Sequence, residues 1–290
     1  MPASERSSSA RSVLVLGCGD LGIRLAAQLP ATWRLTGVRR DPTALPPGIQ
    51  ALAADYTQSG SLQSLADLAP DYVVTTLKPT GRDAAGYETG FTRATENLLA
   101  GLGGHRPRAV LMVSSTRVYA EHDGGWVDEN SPLATGDPAA RAIIDAEAEL
   151  LASGHNASVI RCGGIYGEPQ GRLLSRVAGG DVTAAEPLRY SNRIHRDDVA
   201  GLLAFLLRQV EEGGELAPVY LGVDNCPAPQ HVVEAWLAQQ LGVPATATRA
   251  PATGHKRCHN QVLSASGYLL RYPDYRSGYA AVLAAREQAC

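Results

Sequence analysis

The sequence predicts an α/β fold, a doubly wound parallel sheet with a smaller C-terminal lobe. Two observations carry this. The stretch Val13-Leu14-Val15-Leu16-Gly17-Cys18-Gly19-Asp20-Leu21-Gly22 reads as a buried strand, a Gly-x-Gly-x-x-Gly turn and a helix start. After it, short apolar runs alternate with helix-length segments through the first half. That alternation is the pattern of a parallel sheet covered on both faces.

Taken in order, strands are expected over 13–16, 35–38, 50–53, 72–76, 109–114 and 158–161. Helices are expected over 21–29, 61–68, 86–102 and 138–152. The second half is less regular. It offers helices near 173–178, over 197–208 and 229–241, and near 278–288, with a strand over 219–223. Asp197 and Asp198 suit the cap and first turn of the helix they open. The organisation expected is a disordered, Ser-rich tail over 1–11, a nucleotide-binding domain over 12–166, and a smaller substrate lobe over 167–290. Within that lobe, 197–223 returns to the main sheet.

Composition narrows the function classes. A chain of 290 residues can bury a sizeable core. The net charge of −3 gives no electrostatic case for nucleic acid or an anionic membrane surface. No apolar run approaches the roughly 20 residues of a membrane helix, and the polar N-terminus does not read as a secretory signal. The five cysteines, Cys18, Cys162, Cys226, Cys258 and Cys290, are scattered and odd in number. They suit neither a disulfide framework nor a metal site, and they fit a reducing, cytoplasmic setting. Lys78 and Lys256 are the only lysines, which limits where a catalytic lysine can stand.

The glycine turn has a specific chemical use. Gly17 permits the tight turn, Gly19 keeps side chains away from an approaching pyrophosphate, and Gly22 lets the helix pack on its strand. The backbone at Asp20 and Leu21 then offers free N–H groups at the positive end of the helix dipole. An NAD site places an acid roughly 20 residues beyond the glycines, on the ribose hydroxyls. Here the second strand ends in Arg39 and Arg40. Guanidinium groups suit a 2′-phosphate, so NADP(H) is expected over NAD(H); the plainer alternative is a pair of solvated surface arginines. Asp55 and Tyr56 follow the third strand and could hold the adenine edge. Thr76, Leu77 and Lys78 follow the fourth and would run beneath the ribose and phosphates. The alternative for both is a polar loop cap.

These residues, with Val113-Ser114-Ser115-Thr116-Arg117-Val118-Tyr119, the segment from Val159 to Gly167 and Asn192-Arg193-Ile194-His195-Arg196-Asp197-Asp198-Val199-Ala200, resemble the short-chain dehydrogenase/reductase superfamily. The likeness is to its extended, sugar-nucleotide-epimerase-like branch. Lys256-Arg257-Cys258-His259-Asn260, Gly267-Tyr268 and the run from Tyr272 to Tyr279 are similar to an atypical, YeeZ-like subgroup of NAD(P)-binding proteins. The resemblance implies a Rossmann fold, a nicotinamide cofactor, a small-molecule substrate and a homodimer formed through the helices over 86–102 and 138–152. It also implies a Ser, Tyr and Lys at the reacting centre, with Ser115 as the serine and Ser114 beside the cofactor.

The Tyr and Lys are missing. Their register falls in Gly136-Asp137-Pro138-Ala139-Ala140-Arg141-Ala142-Ile143-Ile144-Asp145, which holds neither. The residues four before the two lysines are Val74 and Ala252, so no Tyr-x-x-x-Lys exists in the chain. Candidate replacements are Tyr166 as proton carrier and Lys78 as the positive charge. Arg141 is a poor relay because it does not deprotonate. Ser115, Thr116, Tyr166 and His195 are the substrate-side candidates. Packing roles compete for Tyr166 and His195, and a surface role for Lys78. The basic Lys256–Asn260 cluster either lines an anionic site or stitches the C-terminal segment to the core. Two functions follow: an NADP(H)-dependent oxidoreductase or epimerase acting on a small polar carbonyl or hydroxyl compound, or a non-catalytic NADP(H)-binding sensor or partner module.

Overall fold

The computed structural model describes residues 10–252 and 254–288. Most of the tail expected over 1–11, residues 1–9, lies outside them. Arg11 is anchored: its guanidinium pairs with Glu211 at 2.8 Å.

The sheet has seven strands, here β1 (Ser12–Leu16), β2 (Arg34–Arg39), β3 (Gln50–Ala53), β4 (Tyr72–Thr75), β5 (Ala109–Ser115), β6 (Ala157–Cys162) and β7 (Val219–Gly222). Their order is β7-β6-β5-β4-β1-β2-β3. The pairs β1–β2, β2–β3, β1–β4 and β4–β5 are parallel. Chain order reverses between β1 and β4, the switch point where open α/β sheets bind ligands beyond the carboxyl ends of their strands. Val13 to Leu16, Val73, Val74 and Val110 to Met112 are buried, as strands with both faces covered require.

The chain divides into two compact units that interleave along it. The first takes the described residues through Ser114, then Gly136–Ile160 and Ala200–Pro218. The second takes Ser115–Thr135, Arg161–Val199 and the described residues from Val219. Within the second, Asp123–Val127 pairs with His255–Cys258, and Gly164–Tyr166 with Arg193–His195, both in parallel. Leu174, Val177, Val233, Leu237, Tyr275 and Tyr279 form its apolar cluster.

Several helices depart from expectation; the one expected over 197–208 runs from Arg196 to Glu211. The helix over 61–68 shrinks to Leu65–Leu68. The Ser61 hydroxyl donates to the Asp55 carbonyl at 2.5 Å, and the residues before Leu65 close as tight turns. The first helix stops at Ala26, three residues early. The helix over 86–102 starts at Ala84 and carries a π-helical stretch, Glu88–Arg93. At Gly90 that stretch lies against the loop after β4, where a Cβ would come 2.2 Å from the Lys78 carbonyl oxygen. The helix Pro138–Ala152 matches expectation: Asp137 caps the Ala139 N–H and Pro138 opens it. Among the described residues, no helix is long and apolar enough to cross a membrane.

Candidate cofactor site and reacting residues

The glycine turn is built tightly. Gly17 has φ of 79°, in the left-handed region, and a Cβ there would meet the Thr76 carbonyl oxygen at 2.9 Å. The Thr76 hydroxyl donates to the Gly17 carbonyl at 2.8 Å, and the Thr76 N–H to Leu16 at 2.9 Å. The N–H groups of Gly17 and Cys18 donate to the Val38 carbonyl. The turn is thus fixed between the ends of β4 and β2. Cys18 fills the space left by two other glycines: a Cβ on Gly22 or Gly37 would sit 2.7 or 2.8 Å from its sulfur. Desolvation pushes this thiol up to about 11, so Cys18 is packing material, not a nucleophile. A Cβ on Gly19, by contrast, would meet only the Gly17 oxygen, at 3.8 Å. The helix opens at Asp20 and Leu21, and the Asp20 carboxylate accepts from Arg24 at 3.1 Å. A turn open at Gly19 and closed at Gly17 and Gly22 fits a dinucleotide pyrophosphate.

At the end of β2, Arg39 is half-exposed and Arg40 exposed. The nearest acid in sequence, Asp41, is already committed. Its carboxylate accepts from the Thr43 N–H at 3.0 Å and the Thr43 hydroxyl at 2.6 Å. The Thr43 hydroxyl above all, then its N–H, holds that carboxylate below its ordinary range.

Asp55 is also turned inward on its own loop, accepting from the Thr57 N–H at 3.0 Å and the Thr57 hydroxyl at 2.7 Å. The Tyr56 phenol takes the Lys78 backbone N–H, and Asn97 donates to the Tyr56 carbonyl at 2.9 Å. These bonds bring the loops after β3 and β4 together. Leu77 is buried beside them and the Lys78 side chain is exposed.

Ser114 and Ser115 end β5 with different partners. The Ser114 hydroxyl is buried and donates to Glu147 of the helix Pro138–Ala152. Glu147 was not foreseen, because one buried acid in a helix has no periodic signature. The Ser115 oxygen accepts from the Arg117 N–H at 3.2 Å, capping the short 3₁₀ turn Thr116–Val118. On the helix, Ala140 is buried and Ile144 half-buried where the Tyr and Lys of the resemblance would stand.

In the second unit, Tyr166 and His195 come together, ring centroids 5.2 Å apart and perpendicular. Tyr166 also lies against Tyr279 at 4.4 Å. Its hydroxyl is buried against Gly278, where a Cβ would come within 1.7 Å. Desolvation first, then Asp224, raises its pKa. His195 is buried, and its Nδ1 accepts from the Asp197 N–H at 3.1 Å. The helix opens one residue earlier than expected, at Arg196, so Asp197 and Asp198 both stand in its first turn and neither is its cap. Asp198 does more: its carboxylate takes the N–H groups of Arg271 and Tyr272 and the Tyr268 hydroxyl. The Lys256–Asn260 cluster stitches. Lys256 donates to the Thr116 and Tyr119 carbonyls, Arg257 to Gly124, and Asn260 to Val223.

A sheet whose order reverses beside a strand–glycine turn–helix defines a Rossmann nucleotide-binding protein. The NAD(P)H-binding family model matches residues 17–209, and the chain belongs to that family, in the atypical short-chain dehydrogenase/reductase class. A structure from Methylobacillus flagellatus, provisionally described as an NAD-dependent epimerase/dehydratase, is 37% identical, with a TM-score of 0.81 over 96% of this chain and 99% of that one. Two more distant structures share the fold. One is a UDP-glucuronic acid 4-epimerase from Bacillus cereus in complex with UDP-glucuronic acid and NAD, 17% identical, with a TM-score of 0.78 over 96% and 100%. The other is the human epimerase family protein SDR39U1 with NADPH, 19% identical, with a TM-score of 0.72 over 95% and 99%. No curated protein matches the chain.

Proposed function

We propose that this protein is an NADP(H)-dependent oxidoreductase or epimerase acting on a small polar carbonyl or hydroxyl compound. The observation that carries this is the end of β2: the strand tied to the glycine turn ends in Arg39, Arg40 follows it, and Oδ1 of the neighbouring Asp41 is taken by Thr43. Gly17, Gly19, Asp20, Leu21 and Gly22 would hold the pyrophosphate, and Arg39 and Arg40 the 2′-phosphate. The loops carrying Asp55, Tyr56, Thr76, Leu77 and Lys78 would line the adenine and ribose. The bound nicotinamide supplies or accepts the hydride.

Ser115 would orient the substrate oxygen with Thr116 beside it, Lys78 would contribute the positive charge, and Tyr166 with His195 would face the substrate. Burial raises the Tyr166 phenol. Such a phenol stays protonated near neutral pH, so as a proton carrier it would act as a donor and not as a base. A second reading, a non-catalytic NADP(H) sensor, is favoured by Ala140 and Ile144 on the helix Pro138–Ala152.

NADPH consumption with a panel of small aldehydes and ketones separates the two. The enzyme reading expects turnover that falls about 10²- to 10⁴-fold in Ser115→Ala, with NADPH affinity unchanged. Tight NADPH binding without hydride transfer to any carbonyl would favour the sensor.

A further inference from the structure

The second unit buries more charge than its own contacts use. Arg193 is 5% exposed and Asp224 1%. Among the described residues, Arg193 Nη1 and Asp224 Oδ2 have no hydrogen-bond partner. The other halves of both groups are engaged: Arg193 Nη2 donates to the Ser191 hydroxyl, and Asp224 Oδ1 accepts the Cys226 N–H at 3.0 Å. The two residues are joined through the backbone, where the Asp224 N–H donates to the Arg193 carbonyl at 2.7 Å. The guanidinium lies 5.5 Å from the centroid of Tyr275, whose hydroxyl is buried without a partner, as is that of Tyr166. Both charges act on Tyr166 and on Cys226.

Buried charged atoms left without a partner are costly, and buried polar groups in folded proteins are as a rule satisfied by protein or by ordered water. A neutral group that accepts from a guanidinium and donates to a carboxylate resolves all of this at once. Water is the smallest such group, and it occupies polar interiors where two to four partners converge.

We propose that Arg193, Asp224, Tyr166 and Tyr275 enclose an internal hydration site, in which an ordered water accepts from Arg193 Nη1 and donates to Asp224 Oδ2. The site has a titratable wall. Desolvation lifts the Asp224 carboxyl to about 7; Asp274 and Asp198 push the same way, while Arg193 and the Cys226 N–H pull it down. The Tyr166, Tyr275 and Tyr279 phenols, the Cys226 thiol and Arg276 also surround this node. The folded-state pKa lies above the ordinary carboxylate value, so folding takes up a proton between the two values. Stability from this group is therefore full at low pH and falls as pH rises toward 7, by at most about tenfold in the folding constant per pH unit.

A high-resolution crystal structure of the whole chain, paired with urea unfolding of the wild type and Asp224→Asn across that pH range, tests the site. Expected are an ordered water within hydrogen-bond distance of both atoms, and a pH slope that flattens by about one proton in the variant. Direct guanidinium–carboxylate contact, an ion or organic molecule in that place, or an unchanged slope would overturn it. If the variant does not fold, the wild-type density decides alone.

Discussion

The two units handle buried polarity differently. In the first, Glu147 is the one buried charge among the described residues, and it takes the Ser114 hydroxyl. The second buries Arg161, Arg193, Asp198, Asp224 and Glu234. The first is an apolar sheet core whose shape comes from strand periodicity and from glycines packed around Cys18. The second is held by particular polar pairs. A periodic apolar pattern tolerates substitution of similar volume, whereas a buried charge pair is broken by the loss of either partner.

The largest effect expected from this contrast is at Glu234. Its fully buried carboxylate takes Arg176, Gln230 and both the N–H and the hydroxyl of Thr183. Glu234→Ala removes all four contacts and leaves Arg176 with Asp181 alone, and thermal or urea unfolding should show a loss of about 3–5 kcal/mol. A loss under 1 kcal/mol would show that apolar packing, not the pair, holds the unit. A smaller effect is expected at the glycine turn. Gly17→Ala combines a left-handed φ with a clash on the Thr76 carbonyl, and should cost about 1–3 kcal/mol together with cofactor affinity. Retained affinity would mean that the turn relaxes without moving its N–H groups.

The same contrast explains what could be read in the sequence. Strand positions 13–16, 50–53 and 109–114, the helix Pro138–Ala152 and the glycine turn all follow from spacing and caps, and the structure keeps them. The missing Tyr-x-x-x-Lys was equally legible, since a chain with two lysines can be searched completely. What stayed hidden depends on partners far apart in the chain. Glu147 finds Ser114 across 33 residues, and Asp198 finds Arg271 across 73. Ser61 is drawn out of a helix by the Asp55 carbonyl, a local competition that propensity does not register. The π-helical stretch follows from Gly90 lying against the Lys78–Pro79 backbone, a close approach that the residue type permits but does not announce.

The central claim is that the end of β2 reads a 2′-phosphate. Calorimetric titration of the purified protein with NADPH and with NADH, repeated on the Arg39→Ala/Arg40→Ala double variant, tests it most directly. The account predicts tighter binding of NADPH than of NADH, and a loss of about 10- to 100-fold for NADPH alone in the variant. Equal affinity for the two cofactors in the wild type, or an unchanged NADPH affinity in the variant, would contradict it and leave the arginines as surface residues beside an NAD-type site.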